Sequence, residues 1–383
     1  MQLDCAAMTQ EIRHSNDSPA KSLRRRIARW FSRRMTPQSA IPGDLPEHIP
    51  ARGIHRILVC RATKTLGETL LLSPLLQEIE ARFPGAEVDI VSGCGAAPAL
   101  FQRFAQVRRV SVLPRSIAKA PLRYRRILKE LRAAKYDLAI DPYLFSNSDR
   151  LLVRFSQARF RIGFDGAKKS GHLTHALAEP RDEEHAAKLP VYLLRKTLGT
   201  AGDPASWSYP ELDLNLSAAE REQGRETLRA LTGNDALARG TIGVYAFATG
   251  VKNYPREWWQ RFLATLAARY PEHIIVEIIP GFGHSLLGDA YPAYFSSDIR
   301  KLGGVLANLS LYVSADCGIM HLAAASGAPT VGIFSVTDIS GWNVYGARNH
   351  TIDASGLDSE QAAVATIAAL GENGFTSVTA TSR

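Results

Sequence analysis

The residues best suited to chemistry lie in one turn in the C-terminal part of the chain. Asp316, Cys317 and Gly318 follow an apolar run, and His321 comes one helical turn later. If a helix begins at this turn, its free N–H groups and partial positive charge can bind an anion. Asp316 can accept hydrogen bonds from sugar hydroxyls beside that anion. The turn therefore predicts a site for a phosphorylated ligand.

The flanking sequence supplies the elements that would position this turn. Leu311 to Ser314 has the apolar character of a buried strand, Ile319 to Ser326 is an Ala-rich helical segment, and Thr330 to Phe334 is a second strand. This order predicts a βαβ unit, in which the turn lies at the C-terminal edge of the sheet. A second interpretation is that Asp316 only caps the helix and that His321 is a packed core residue.

The same segment carries the pattern of a known family. Residues 316–334 read D-C-G-I-M-H-L-A-A-A-S-G-A-P-T-V-G-I-F, and T-D follows at 337–338 and W-N-V-Y-G at 342–346. This pattern resembles glycosyltransferase family 9, the ADP-heptose:lipopolysaccharide heptosyltransferases. Earlier motifs occur in the family's order, among them P-G-A-E-V-D at 84–89 and Y-D-L-A-I-D at 136–141. The resemblance covers most of residues 54–346. It implies an α/β protein with the GT-B fold, in which two Rossmann-like domains face each other across a cleft.

The resemblance implies an inverting glycosyltransferase that moves a heptose from an ADP-sugar to the lipopolysaccharide core. Its donor-binding residues would be Thr249, Lys252, Glu277, Asp316, Cys317, Gly318, Met320 and His321. Lys252 would stabilise the negative charge that develops on the leaving diphosphate. A surface lysine without this role is the alternative. Glu277, near the end of the apolar run from Ile274 to Ile279, would bind ribose hydroxyls.

The sequence gives no sign of a metal or of a resident cofactor. It lacks a D-x-D pair, the acidic motif through which metal-dependent glycosyltransferases hold a diphosphate. We therefore expect a metal-independent reaction in which the nucleotide-sugar, ADP-heptose, is a substrate and no cofactor is required. Lys252 and the N–H groups near Cys317 and Gly318 would bind its diphosphate.

The acceptor side of the reaction is expected in the first domain. Ile54 to Arg61 predicts a buried strand, and the polar turn at 62–67 leads to Glu68. At the Glu68 position the family has an aspartate that acts as a general base, a role worth about 10²- to 10⁴-fold in rate. Glu68 is thus the predicted base, with Lys64 and Thr65 as acceptor-binding residues. An acidic residue in the first turn of a helix is also favoured by the helix dipole alone.

Departures from the family pattern leave other functions open. Glu68 replaces Asp, Tyr254 replaces Trp, and Cys317 replaces Ser or Thr. Losing the hydroxyl at position 317 costs about 1–2 kcal/mol of affinity if that hydroxyl bonds a phosphate, and nothing if only the backbone N–H does. The chain could use another nucleotide-linked hexose, or it could be a catalytically weak nucleotide-binding scaffold of envelope biosynthesis.

We divide the chain into four segments. They are a basic, partly disordered leader with an amphipathic helix (1–52), an acceptor-binding Rossmann-like domain (53–213), a nucleotide-sugar-binding Rossmann-like domain (214–355), and a helix crossing back onto the first domain with a tail (356–383). The Gly-, Pro- and Ser-rich stretch at 200–216 marks the domain boundary. Ser217 and Glu220 predict a capping box, and Gly163 is interpreted as a turn.

The charge of the chain indicates acidic partners. The net charge is +9, with seven basic residues and no acidic one from Lys21 to Arg34, and eleven Lys or Arg against one acid from Arg103 to Lys135. The first stretch has the apolar spacing of an interfacial amphipathic helix. We expect both stretches to contact the inner-membrane surface. The alternatives are solvated basic faces and, for the first stretch, a helix docked on the protein's own surface. Nucleic acid is not an expected partner, because the basic stretches lack interleaved aromatic residues.

Cysteine usage and hydropathy indicate a cytoplasmic protein, and the basic stretches indicate that it associates peripherally with the inner membrane. The four cysteines show no metal-ligand spacing, and free thiols fit a reducing compartment. No apolar run approaches the ~20 residues of a spanning helix.

Overall fold

Two parallel β-sheets form the framework of the described part of the chain. The structure is a computed structural model that describes residues 45–117, 119–144, 146–166, 172–180, 185–233 and 240–371. These residues belong to one compact unit, Leu45–Arg383. The predicted amphipathic helix at 21–34 and the tail at 372–383 lie outside the described residues.

The first sheet has the strand order of a Rossmann fold. Its strands are β1 Arg56–Arg61, β2 Glu87–Ser92, β3 Val107–Val112, β4 Leu138–Asp141, β5 Phe160–Asp165 and β6 His175–Ala178. They lie in the order β3-β2-β1-β4-β5-β6, and the pairings are parallel. The sequence of β1 is RILVCR, and its last five residues are buried. A strand covered on both faces is apolar along its length instead of alternating, which is why such runs predict a parallel sheet.

The second sheet repeats this arrangement. Its strands are β7 Thr241–Tyr245, β8 Ile274–Ile278, β9 Ala293–Tyr294, β10 Leu311–Ala315, β11 Thr330–Phe334 and β12 His350–Asp353, in the order β12-β11-β10-β7-β8-β9. Counted from β7, this is the same order as in the first sheet. The order reverses between β1 and β4 and between β7 and β10, and Rossmann-like domains bind ligands beyond the carboxyl ends of strands at such points. The predicted fold class is confirmed.

Helices connect the strands. They are α1 Leu66–Leu70, α2 Ser73–Arg82, α3 Ala97–Phe101, α4 Pro121–Ala133, α5 Asn147–Ser156, α6 Leu189–Thr197, α7 Ala218–Thr232, α8 Arg256–Arg269, α9 Ile299–Leu306, α10 Gly318–Ser326, α11 Ile339–Trp342 and α12 Ser359–Leu370. The predicted capping box at the start of α7 is present, because the Ser217 hydroxyl accepts from the Glu220 N–H and the Glu220 carboxylate accepts from the Ser217 N–H. Within the described part of the chain, no helix combines the length and apolarity needed to cross a membrane.

Two local features differ from the sequence-based expectation. Gly163 is not in a turn: it lies inside β5, opposite Asp141 of β4. A side chain there would approach Cβ of Asp141 to 3.1 Å, so close packing explains the glycine. The last described helix, α12, packs against α8 and β12 of the second half rather than crossing back onto the first domain. Its Ala362 and Ala363 share a core cluster with Trp259, because small side chains allow a close approach to the aromatic face of α8.

Candidate active site

A cavity of about 500 Å³ lies between the two halves, where the loops after β1, β7 and β10 meet. Its wall includes residues from both predicted domains. The predicted site residues among them are Thr65, Glu68, Thr249, Lys252, Asp316, Cys317, Gly318 and His321. The predicted base from the first half and the predicted diphosphate-binding residues from the second half therefore face one common space.

The two halves touch beside this cavity, where α1 meets α10. A Cβ added to Gly318 would lie 3.2 Å from the backbone nitrogen of Gly67, and a Cβ added to Gly67 would lie 2.7 Å from Cδ2 of His321. The missing side chains allow the start of α1 to rest directly against the start of α10. Glu68 follows Gly67 and is thereby placed beside the N-terminus of α10.

An ion pair forms part of the cavity wall. Nζ of Lys252 donates to Oδ2 of Asp316 at 2.5 Å, and the Thr337 hydroxyl donates to the same oxygen. The Asp316 side chain is 10% exposed and that of Lys252 is 34% exposed. Lys252 lies on the short 3₁₀ turn Gly250–Lys252 after β7, from which its ammonium reaches the loop after the neighbouring strand β10. A cation is therefore held beside the N-terminus of α10.

The N-terminus of α10 has no side-chain cap. Cys317 occupies the N-cap position with an extended backbone, and its side chain makes no capping hydrogen bond. Helix N–H groups that lack a side-chain cap remain available to water or to a ligand. Burial raises the pKa of the Cys317 thiol to about 11, so the thiol is neutral near pH 7. The helix end can therefore receive an anion without repulsion from this side chain.

His321 is both buried and part of the cavity wall. The residue is 4% exposed, and its Nδ1 has no hydrogen-bond partner among the described residues. Burial lowers the pKa of His321 to about 4, although the nearby Asp316 acts in the opposite direction. The imidazole is therefore neutral at pH 7, and a neutral imidazole can donate through one nitrogen and accept through the other. It can bond a hydroxyl or a phosphate oxygen at this place.

Glu68 also borders a second cavity, of about 470 Å³. The other residues in its wall are Arg61, Ala62, Thr63, Tyr143, Ser146, Asn147, Ser148 and Trp342. The hydroxyl and amide side chains in this wall can exchange hydrogen bonds with the hydroxyls of a sugar. Tyr143 and Trp342 come from opposite halves, with ring centroids 6.3 Å apart. Glu68 thus borders both cavities, the first lined mainly by the second half and the other lined mainly by the first half.

Three predicted site residues do not line the first cavity. Glu277 is fully buried, and its carboxylate accepts hydrogen bonds from the Ser285 hydroxyl and from the N–H groups of Leu286 and Leu287. It holds the loop after β8 and has no exposed face for a ribose. Met320 is buried as well and lies on the side of α10 that packs against the sheet. Lys64 is exposed, and its ammonium donates to the Arg115 carbonyl at 3.1 Å.

Other residues that the sequence-based prediction does not include also line the two cavities or bind their charged groups. Thr337 and Trp342 lie in motifs that carry the family resemblance, which is the signal that could have identified them. Phe247 follows β7 and lines the first cavity. No sequence pattern marked Arg61 or Tyr143 as functional, since Arg61 ends one apolar strand and Tyr143 follows another. Their relation to Glu68 depends on the path of the turn at 62–67.

A larger cavity, of about 790 Å³, lies elsewhere between the halves, beside α3, α7 and α9. The wall of this cavity includes the buried Arg300, which is 5% exposed. The guanidinium donates to the Ala99 and Leu214 carbonyls, both at 3.1 Å, and to the Glu220 carboxylate. Because Arg300 is engaged in joining the halves, size alone does not make this cavity the candidate site.

Among the described residues, no group of three or more His, Cys, Asp or Glu side chains is placed to hold a metal ion. The groups around the first cavity that suit a diphosphate are the Lys252 ammonium and the N-terminus of α10.

Sequence comparison relates the chain to known glycosyltransferases. The sequence model of Glycosyltransferase family 9 (heptosyltransferase) matches residues 297–365, which include Asp316, Cys317 and His321. The chain is 24% identical over 332 residues to lipopolysaccharide heptosyltransferase 1 of Escherichia coli O18:K1:H7, a match that covers 80% of this chain and 94% of that protein. The chain carries a glycosyltransferase family 9 domain at residues 297–365. It is therefore an enzyme of the glycosyltransferase class.

Solved structures of a family 9 glycosyltransferase and of a heptosyltransferase share the fold of the chain. A family 9 glycosyltransferase from Veillonella parvula superimposes with a TM-score of 0.69 at 16% identity, covering 85% of this chain and 98% of that chain. The E. coli heptosyltransferase WaaC, solved with ADP-2-deoxy-2-fluoro heptose, gives a TM-score of 0.61 at 23% identity, covering 83% of this chain and 100% of that chain. At these identities the likeness shows the GT-B fold alone.

Proposed function

We propose that this glycosyltransferase moves a heptose, or a related sugar, from an ADP-linked donor to the lipopolysaccharide core with inversion at the anomeric carbon. The observation that carries the proposal is the shared cavity in which Glu68 faces Lys252 and the N-terminus of α10. The heptosyltransferase relatives support the sugar, and the ADP-sugar bound to the E. coli enzyme supports the donor.

The proposed reaction is a single displacement. Glu68 takes the proton of an acceptor hydroxyl held in the second cavity, and the oxygen forms a bond to the anomeric carbon. The bond from that carbon to the diphosphate oxygen breaks, and its electron pair leaves with ADP. Attack from the side opposite the leaving group inverts the anomeric configuration. This route uses one base and no covalent intermediate.

The leaving diphosphate needs positive charge at the moment the bond breaks. Lys252 and the uncapped N-terminus of α10 supply it, because preorganised donors stabilise developing charge most effectively. Asp316 and His321 would orient the sugar and phosphates. These groups support a metal-independent reaction, in which the nucleotide-sugar is the substrate and no cofactor is needed.

A labelled-donor assay with a lipopolysaccharide core acceptor tests the proposal. Glu68→Gln keeps the size of the side chain but removes the base, so transfer should fall by about 10²- to 10⁴-fold. ADP affinity measured by calorimetry should stay close to the wild-type value. Glu68→Asp, which restores the family's residue, is the matched control and should retain activity. Unchanged turnover in Glu68→Gln would remove Glu68 as the base.

The same assay separates the two other functions. Transfer from a UDP- or GDP-linked hexose in preference to an ADP-sugar would assign another donor to this site. Donor binding without transfer or hydrolysis by the wild-type enzyme would favour the catalytically weak scaffold. The substitutions Glu68, Tyr254 and Cys317 motivate that second outcome.

The proposed location is the cytoplasmic surface of the inner membrane. In the described part of the chain, α4 exposes basic side chains, and Leu122 beside them is 79% exposed. Basic residues near an anionic leaflet contribute on the order of 1 kcal/mol each. The full chain should sediment with vesicles that contain anionic phospholipid and not with neutral vesicles. Reversing the charge of Arg125 and Arg126 should weaken this binding, and equal binding would remove α4 from the membrane contact.

A further inference from the structure

Glu68 contacts a series of charged side chains that lies at the end of β1 and the start of α5. Nη2 of Arg61, at the end of β1, binds Oε2 of Glu68. Nη1 of the same guanidinium lies 3.7 Å from Oδ2 of Asp149. The Arg61 side chain is 4% exposed and that of Asp149 is fully buried. The guanidinium also packs on the ring of Tyr143, with Cζ 3.5 Å from the ring centroid. The Arg61 guanidinium is therefore held by its contacts with Glu68, Asp149 and Tyr143.

Asp149 is held so that one oxygen remains for Arg61. It lies in the first turn of α5, and its Oδ1 accepts a hydrogen bond from the Ala62 N–H at 2.5 Å. Oδ2 accepts no hydrogen bond from any described residue. The neighbouring carboxylate, Asp141 on β4, is paired with Arg150 at 2.8 Å. Because a buried charge requires a partner, Arg61 is the counter-ion that the structure provides for Asp149.

We propose that Arg61 and Asp149 are positioning residues for Glu68, an inference that rests on the proposed function. Arg61 binds one carboxylate oxygen of Glu68 and leaves the other for the acceptor hydroxyl. When that oxygen takes the proton, Glu68 becomes neutral and Arg61 retains Asp149 as its counter-ion. Without Asp149, proton transfer would leave a buried guanidinium unpaired, which is unfavourable in a low-dielectric interior. Asp149 therefore allows the base to change its charge during the reaction.

The charges around Asp149 fit this role. Burial and the charge of Asp141 raise the pKa of Asp149 to about 6, against the effect of the Ala62 N–H and of Arg61. Asp149 is consequently ionised for the most part at pH 7. The titratable groups that face it from other elements are Cys60 and Arg61 on β1 and Asp141 on β4, and Glu68 on α1 is reached through Arg61. Neither Arg61 nor Asp149 lines the first cavity, so donor binding should not depend on them.

The test compares full-length Asp149→Asn and Arg61→Lys with the wild-type enzyme in the transfer assay. Asp149→Asn keeps the acceptor for the Ala62 N–H and removes only the charge. Both variants should lower kcat by about 10- to 100-fold, the cost of a misplaced catalytic group, with KM for the nucleotide-sugar within twofold of wild type. Asp89→Asn is the matched control, because Asp89 is a buried carboxylate of the same sheet that binds Arg108. It should lower the melting temperature without changing kcat.

The outcomes separate this inference from the proposed function. If Asp149→Asn and Arg61→Lys fold and keep the wild-type kcat while Glu68→Gln is inactive, Glu68 is the base and the positioning role is wrong. If Asp149→Asn fails to fold, Arg61→Lys decides by the same criterion. If the wild-type enzyme transfers no sugar, the proposed function fails and this inference fails with it.

Discussion

Lys252 and Asp316 form an ion pair across the loops that follow two adjacent strands, with Nζ 2.5 Å from Oδ2. In the reaction the same ammonium would face the leaving diphosphate. Lys252→Ala should lower kcat by about 10²- to 10³-fold, the typical cost of losing one preorganised donor. It should also weaken ADP binding. Steady-state kinetics and calorimetry check both effects.

Two controls make this prediction specific. Lys252→Arg keeps the positive charge and should recover part of the activity. Lys301→Ala removes an exposed lysine on α9 in the same half and should leave kcat unchanged. A Lys252→Ala enzyme with wild-type kinetics would show that the ammonium takes no part in diphosphate departure.

The nucleoside end of the donor should lie along a row of aromatic rings. Trp342 and Glu68 border both cavities and mark the end of the site where sugar transfer would occur. Phe247 also lines the first cavity, and its ring centroid is 5.2 Å from that of Phe282 on the loop after β8. Phe282 is 46% exposed and can stack on a base. Phe282→Ala should weaken ADP binding by about 10-fold, since base stacking is worth ~1–3 kcal/mol.

Pyrophosphate provides the internal control for this prediction. It has no base, so its affinity should be the same for the wild-type protein and for Phe282→Ala. Phe295→Ala removes another exposed aromatic residue of the same half, which is 47% exposed, and should have no effect on either ligand. Equal ADP affinity in Phe282→Ala would place the base elsewhere.

Strand adjacency explains why much of the site could be predicted from the sequence. Ser314 of β10 lies opposite Tyr245 of β7, so the loops after these strands are neighbours and bring Lys252 to Asp316. The chain order of apolar runs and turns is enough to predict this edge of a parallel sheet. Glu68 follows β1 of the other sheet, and only the family resemblance connected it to the same cavity.

Side-chain direction is what the sequence could not provide. Glu277 lies in a strand whose last four residues are all buried, so no polar alternation reveals where its carboxylate points. In α10 every residue from Met320 to Ser326 is buried, and helical periodicity therefore gives no preferred face. Arg61 reaches Glu68 because the turn between them folds back, and the types of the turn residues do not determine that path.

The contact between Gly67 and Gly318 should be intolerant of a single added methyl group. In Gly67→Ala the new Cβ would lie 2.7 Å from Cδ2 of the buried His321, so α1 and α10 would have to separate. A displacement of about 1 Å at a catalytic group can cost about 10²-fold in rate. Activity should fall to that extent in a folded variant.

At Gly95 an added Cβ meets no atom within 4 Å, so Gly95→Ala is the control and should be fully active. Wild-type activity in Gly67→Ala would show that the contact has room to relax.

Protein stability should depend on two buried histidines as the pH falls. Burial lowers the pKa of His185 and of His321 to about 4 from 6.5. The unfolded chain therefore binds protons at a higher pH than the folded protein, and stability is lost between about pH 6.5 and pH 4, by about 3 kcal/mol for each histidine. Asp149 acts in the opposite sense, because its pKa is raised to about 6 from 3.8 and the folded state takes up its proton first.

A difference measurement isolates one histidine from these opposing effects. His185 joins the halves through Nε2, which lies 3.0 Å from the Asn343 carbonyl oxygen, and glutamine can donate to the same carbonyl without titrating. Urea unfolding of the wild-type protein and of His185→Gln at pH 7, 5 and 4 should show the wild type losing stability relative to the variant by up to about 3 kcal/mol. His172→Gln is the matched control, since His172 is half-buried and its Nε2 lies 2.9 Å from Nη1 of Arg154. Because the pKa of His172 is lowered less than that of His185, the stability difference between wild type and His172→Gln should depend more weakly on pH. A stability difference between wild type and His185→Gln that stays constant from pH 7 to pH 4 would mean that His185 titrates alike in the folded and unfolded states.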